Sequence, residues 1–207
     1  MSTSAIKPRA SWRVVDIVIA SAIAVASGVV FWAWNASYGF VSLGFVAFPP
    51  AAAFVSGMWL FPAALGALII RKPGAALYCE LLAAIISALL GSQWGLTVLL
   101  SGLVQGLGAE VVFAAVRYRK FTLPVALLAG LMSGFFGGFT EAYVLAYYEA
   151  YTPFMKFFHV LAMSISGMII AGLLPWLATR GLARTGALGA LASRRAHLEG
   201  AWRGQSR

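Results

Sequence analysis

The sequence predicts an all-α integral membrane protein of six transmembrane helices with both termini cytoplasmic, on three observations. Hydrophobic residues fill 61% of the 207 positions and charged residues 10%, a balance far outside that of soluble domains, with a mean hydropathy of +0.88. The apolar runs are long and do not alternate; a spanning helix needs about 20 such residues, whereas a barrel strand alternates over about 10. Basic residues gather in every second gap: Lys7, Arg9 and Arg13 before the first run, Arg71 and Lys72 after the second, Arg117, Arg119 and Lys120 after the fourth, Arg180 onward after the sixth. With those gaps cytoplasmic, Lys156 is the one basic residue outside, as the positive-inside rule requires. The net charge of +9 therefore encodes orientation and is no sign of nucleic-acid binding.

Residues 1–13 read as a cytoplasmic tail, 14–179 as a six-helix transmembrane domain and 180–207 as a basic cytoplasmic tail. The first span, about Val14 to Trp34, carries Ala20, Ala24 and Gly28 and, on a second stripe, Ala22 and Ala26, spacings that permit close helix approach. They serve either packing within the chain or docking of another subunit. The apolar core of this span is too long for a cleavable signal, whose core has about 7 to 15 residues. Asn35 to Pro50 mixes polar residues, glycines and aromatics and predicts an outer loop long enough to be a lid. Pro50 suits a first helical turn, so the second span runs from Ala51 to Ile70 with a kink at Pro62. Trp59, near its middle, belongs either to the core or to the wall of a ligand pocket.

Pro73 and Gly74 turn the chain into the third span, Ala75 to Leu90, where Glu80, Ala84, Ser87 and Gly91 share a stripe. The fourth, about Trp94 to Val116, aligns Gly102, Gly106 and Glu110 on one stripe and Trp94 with Gln105 on another. Gln105 and Glu110 are about 140° apart, too far for one narrow pocket to use both. Glu80 and Glu110 lie about 10 Å from the cytoplasmic end and can be neighbours. The fifth span, Leu123 to Tyr148, sets Gly130, Gly134, Gly137, Gly138 and Glu141 along one face, a smooth groove ending in a carboxylate. Glu141 falls about 10 Å below the outer surface, in the layer of Trp34, Trp94, Tyr147, Tyr148 and His159. After a short loop from Glu149 to Lys156, the sixth span runs from Phe157 to Thr179, with Pro175 kinking its end. Leu188, Leu191, Leu198 and Trp202 in the tail have partly helical spacing that suits the inner membrane surface, with disorder the equal alternative.

The chemistry-bearing residues are few. Cys79 alone excludes a disulfide framework and a cysteine zinc site, and His159 and His197 are too few for a histidine metal cluster. There is no GxxxxGK[ST], HExxH or GxSxG, so neither ATP binding nor hydrolysis is expected, and the chain is not read as an enzyme. An ionised group near mid-bilayer costs about 2.5 to 3.5 kcal/mol, so Glu80, Glu110 and Glu141 must face a bundle interior, a cavity or a partner. A carboxylate flanked by tryptophan and tyrosine makes a receptor for an organic cation, each aromatic face adding about 0.5 to 2 kcal/mol. Glu80 and Glu110 have an alternative as ion-pair partners of Arg71, Lys72 or Arg117.

The run IIRKPGAAL-x-x-ELLAAIISALLGSQWG from Ile69 to Gly95, followed by GLVQGLGAEVVFAA-x-RYRK from Gly102 to Lys120, resembles the YkoE family. These are substrate-binding (S) components of energy-coupling-factor (ECF) vitamin transporters, in the thiamine and hydroxymethylpyrimidine group. The similarity extends from about Trp12 to Leu182. It implies a six-helix subunit of the bacterial cytoplasmic membrane that captures thiamine or its pyrimidine precursor from outside. Its partners would be a transmembrane coupling (T) subunit and two ABC-type ATPases; these partners use ATP, and the chain itself has no cofactor. Carried over by motif, Glu80, Trp94, Gln105 and Glu110 are the candidate ligand residues, while Asn35, Trp59 and Glu141 are added from depth and chemistry. Ala20, Ala24 and Gly28, with Ala22 and Ala26, match the small-residue stripes that pack on the coupling subunit in such proteins.

The mechanism expected on that basis has an aminopyrimidine bonded to Gln105 or a glutamate and stacked on Trp94 or Trp59. A thiazolium would lie near a carboxylate, with Asn35 to Pro50 closing over it. Two other classes use the same residues differently. A proton-coupled or facilitative carrier would make the glutamates proton sites, and a non-transporting assembly subunit would bury them in ion pairs. No repeat relates the two halves, which removes one mark of a carrier.

Overall fold

Residues 11–145 and 147–185 are described by a computed structural model. Asp16 opens the first helix, α1 (Val14–Leu43), by accepting the Arg13 N–H through Oδ2 at 2.8 Å. At 30 residues it is about 45 Å long, more than the ~30 Å of a hydrocarbon core. The helix continues through Asn35 to Leu43, where composition predicted a loop, so most of the expected lid is helix. Ser37 and Ser42 donate to the Ala33 and Gly39 carbonyls at 3.0 and 2.9 Å, which satisfies their hydroxyls without leaving the helix.

α1 lies against α3 (Ala75–Leu89). Ala20 and Ala24 are fully buried, and a Cβ on Gly28 would come within 2.5 Å of Ile86 Cβ. The stripe Ala20, Ala24 and Gly28 is thus spent on packing inside the chain and is not available to a partner. Ala22 and Ala26 remain exposed, among Val18, Val25 and Val29.

The second span is two pieces rather than one kinked helix. Pro49–Trp59 is a 3-10 segment and α2 (Phe61–Ile70) starts anew beyond it. Pro62 therefore occupies a first turn, where its missing N–H costs nothing, instead of bending a continuous ladder. The 3-10 segment is anchored by Ser166, which donates to the Phe54 carbonyl at 2.6 Å and accepts the Gly57 N–H at 2.8 Å.

The remaining helices are α4 (Thr97–Ala115), α5 (Leu123–Phe139), α6 (Pro153–Ser166) and α7 (Leu174–Thr185). α5 widens into a π segment, Thr140–Val144, and a second π segment, Gly167–Leu173, joins α6 to α7, so Pro175 follows a widened turn. The helix predicted from Phe157 begins at Pro153 instead, capped by Thr152, whose hydroxyl accepts the Met155 N–H at 3.3 Å. α7 continues to Thr185, past the predicted end at Thr179; the tail residues Leu188, Leu191, Leu198 and Trp202 lie outside the described residues.

Among the described residues, five stretches are long and apolar enough to cross a membrane: Val14–Leu43, Pro49–Ile70, Thr97–Ala115, Leu123–Val144 and Pro153–Thr185. α3, apolar and 15 residues long, is the shorter sixth element, packed between α1 and α4. The glycine face of α5 is not an open groove. A Cβ on Gly130 would lie 2.2 Å from the Gly167 carbonyl oxygen, so this crossing requires glycine on both sides.

One end of the bundle is basic and closed. Lys72 is buried beside Asp16 and donates to it and to the Ser11 carbonyl, while the Arg71 guanidinium lies 4.8 Å above the Phe121 ring. Arg71, Gly74, Arg117 and Tyr118 make the turns at this end with positive φ.

Candidate functional site

At the opposite end lies a cleft, open in part to solvent, with about 520 Å³ of unfilled space when the solvent at its mouth is included. Its walls come from α1 (Tyr38), the 3-10 segment (Ser56, Trp59), the α3–α4 turn (Trp94), α4 (Ser101, Gln105) and the end of α5 with the loop beyond (Glu141, Tyr147, Tyr148). Glu141 is the one lining carboxylate, in a mostly apolar hollow.

The aromatic walls support each other. Tyr38 meets Trp59 edge-on at 4.9 Å between ring centroids, and Trp94 stacks on Tyr147 at 5.3 Å and 28°. Tyr147 is also hydrogen-bonded to Thr97. Trp59 is aimed by Asn35, which accepts its Nε1–H at 2.8 Å and donates through Nδ2 to Ser87 at 3.2 Å and Ser92 at 3.4 Å. Asn35 is buried behind the wall, so it orients the indole without lining the cleft. The Trp94 turn, Gly91 to Gly95, reverses direction through positive φ at both glycines, 95° and 59°.

The polar floor is built by close helix approach. A Cβ on Gly137 would lie 2.8 Å from Gln105 Cγ, so the glycine lets α4 bring Gln105 against α5. Gln105 Nε2 then donates to Glu141 Oε1 at 3.4 Å, a long bond. The other oxygen, Oε2, is 3.5 Å from His159 Nε2 without the alignment of a hydrogen bond. Tyr148 covers His159, its ring 4.5 Å away, and burial, then the charge of Glu141, push its phenol well above the ordinary value. Tyr148 therefore remains a neutral phenol in the wall that it shares with Glu141.

Trp59, Trp94, Gln105 and Glu141 thus share one cleft, with Asn35 directly behind it. Glu80 and Glu110 lie elsewhere. Glu110 accepts the Gly74 N–H at 2.6 Å and the Ala76 and Leu77 N–H groups at 2.9 and 3.2 Å, capping α3, and takes the Tyr118 hydroxyl at 2.7 Å. Glu80, fully buried, accepts the Ala63 N–H at 2.9 Å where α2 restarts. The alternative of ion pairs with Arg71, Lys72 or Arg117 gives way to backbone capping, because each side chain reaches a helix N-terminus whose amides have no intrahelical acceptor. Tyr38, Ser56 and Ser101 were not singled out as wall residues; Ser101 is four residues before Gln105 on α4, a spacing that marks it. Tyr38 carried no such signal, because its segment reads as loop.

Residues 15–136 match the family described as "ABC-type cobalt transport system, permease component". The chain is 39% identical over 185 residues, 88% of its length and 90% of the relative's, to the Bacillus subtilis (strain 168) protein bearing the name HMP/thiamine permease protein YkoE. It superposes on the crystal structure of an S-component of an ECF transporter with a TM-score of 0.85 and 37% identity, covering 95% of this chain and 98% of that one. Among the described residues no group of three or more His, Cys, Asp or Glu side chains could hold a metal ion. One carboxylate with one imidazole behind it does not make a cobalt site.

Proposed function

The chain belongs to the YkoE family of ECF S components, transport proteins rather than enzymes, and on that premise we propose that the cleft captures thiamine or its hydroxymethylpyrimidine precursor. The observation that carries this reading is the single carboxylate, Glu141, set among Tyr38, Trp59, Trp94, Tyr147 and Tyr148. Thiamine joins a permanent thiazolium cation to a flat aminopyrimidine. The cation is matched by Glu141 and by aromatic faces that attract positive charge. The pyrimidine, with an amino donor and ring-nitrogen acceptors, is matched by the amide of Gln105, the Ser101 hydroxyl and stacking on an indole.

In this reading the chain crosses the membrane six times with both termini cytoplasmic. α3 is short, but it leads from the basic Arg71–Lys72 turn to the glycine turn at the cleft end, so it counts as a crossing. The basic end faces the cytoplasm and the cleft opens outward. Membership of the family then implies that transport depends on a transmembrane coupling subunit and two ABC ATPases, the sequence itself carrying no phosphate-cradling loop. The exposed Ala22 and Ala26 face of α1 is the part of the small-residue pattern left to meet that partner.

The test is calorimetric titration of purified, ligand-stripped protein with thiamine and with hydroxymethylpyrimidine. Saturable 1:1 binding of either supports the assignment, and no heat from either compound with folded protein overturns it.

A further inference from the structure

His159 is unusual among the residues around the cleft. It is 2% exposed, its Nε2 has no hydrogen-bond partner, and that atom faces Glu141 Oε2 at 3.5 Å. It does not line the cleft, so it acts on a ligand only through the carboxylate. The groups around it leave few alternatives for where a proton can go. α6 packs against α5, both π segments and the 3-10 segment. Of these, the π segment after α5 contributes Glu141 as its charged group, along with Tyr143, and the others contribute no titratable side chain. The neighbouring loop contributes Tyr148 and Tyr151, with ring centroids 4.5 and 6.3 Å from the imidazole. Lys156, one turn earlier on α6, is directed to the Tyr143 ring at 5.6 Å. Both loop tyrosines are shifted upward by burial and remain protonated near neutrality.

We propose that His159 is a positioning residue that sets the charge of the cleft through Glu141. With a neutral imidazole the carboxylate is an uncompensated anion and takes a cationic ligand. A protonated imidazole completes an ion pair with Oε2, and the cation then meets a neutral floor. This rests on the reading of the cleft as a thiamine site and adds to it a proton-linked preference for the cationic ligand. Because the cation binds the form with a neutral imidazole, affinity is highest where the imidazole is neutral and falls as acid protonates it.

The test is thiamine titration of the full chain in detergent at pH 8 and pH 6, for wild type and for His159→Gln, whose amide stays neutral. The wild type should bind severalfold more weakly at pH 6 than at pH 8, and the variant should be flat across this range. Wild-type titrations near pH 6 in buffers of different ionisation enthalpy supply a second reading that needs no variant; they should reveal net proton release on thiamine binding. Equal wild-type affinity at both pH values, absence of proton release, or a variant that keeps the wild-type slope overturns the inference alone. No thiamine binding at either pH overturns the thiamine reading and the inference with it.

Discussion

The two ends of this bundle use the same side chain in opposite ways. At the basic end Glu110 accepts three backbone N–H groups and a tyrosine hydroxyl, and Glu80, a little deeper, accepts the first free amide of α2. At the other end Glu141 has one long bond from Gln105 and an unaligned imidazole. A carboxylate such as Glu110, whose lone pairs are taken by a helix terminus and a phenol, is committed to the fold, since removing it strands several donors at once. A loosely held carboxylate beside a hollow keeps its bonding capacity for something that is not part of the chain. Between Glu110 and Glu141 the difference is one of ligation rather than residue type; Glu80, with one amide on Oε2 and no partner for Oε1, differs from Glu141 in being fully buried away from the cleft.

The comparison can be broken by exchanging the consequences. Glu110→Ala has the largest expected effect: loss of the α3 cap and of the Tyr118 acceptor costs about 3 kcal/mol of stability. This would be read as a lowered thermal midpoint in detergent, with thiamine affinity of the folded fraction unchanged. Glu141→Gln should do the reverse, leaving the midpoint near wild type and weakening thiamine by about thirtyfold, the ~2 kcal/mol of a charge-assisted contact. Hydroxymethylpyrimidine, which lacks the thiazolium, should lose less. Trp94→Ala removes a wall that stacks on Tyr147 and should weaken thiamine about tenfold, near 1.4 kcal/mol. Asn35→Leu keeps the volume but frees the Trp59 indole, and should weaken binding about fivefold, near 1 kcal/mol, with a shift in tryptophan emission as the indole loses its acceptor.

The sequence carried the helical class, the basic end and the grouping of Glu141 with Trp94, Tyr147, Tyr148 and His159, because depth along apolar runs is a matter of counting residues. It did not carry the reach of α1 to Leu43. Asn35, Ser37 and Ser42 read as loop residues, yet their polar atoms are satisfied within the helix or by side chains on α3 and its turn, which no local pattern reveals. Helical periodicity separated Gln105 from Glu110, and the structure places them accordingly. Periodicity could not say which glutamate meets amides, because the α3 N-terminus that Glu110 caps lies 33 to 36 residues away along the chain. The alanine stripe left two readings open for the same reason: the spacing marks a close contact and leaves its partner unnamed, and for Ala20, Ala24 and Gly28 α3 is that partner.

The most direct test of the account is thiamine titration of Glu80→Gln, Glu110→Gln and Glu141→Gln side by side with wild type, each sample first confirmed as folded. The account predicts that Glu141→Gln alone loses affinity, while the other two bind as wild type does and differ only in stability. Wild-type affinity in Glu141→Gln, or loss of binding confined to Glu80→Gln or Glu110→Gln, would contradict it.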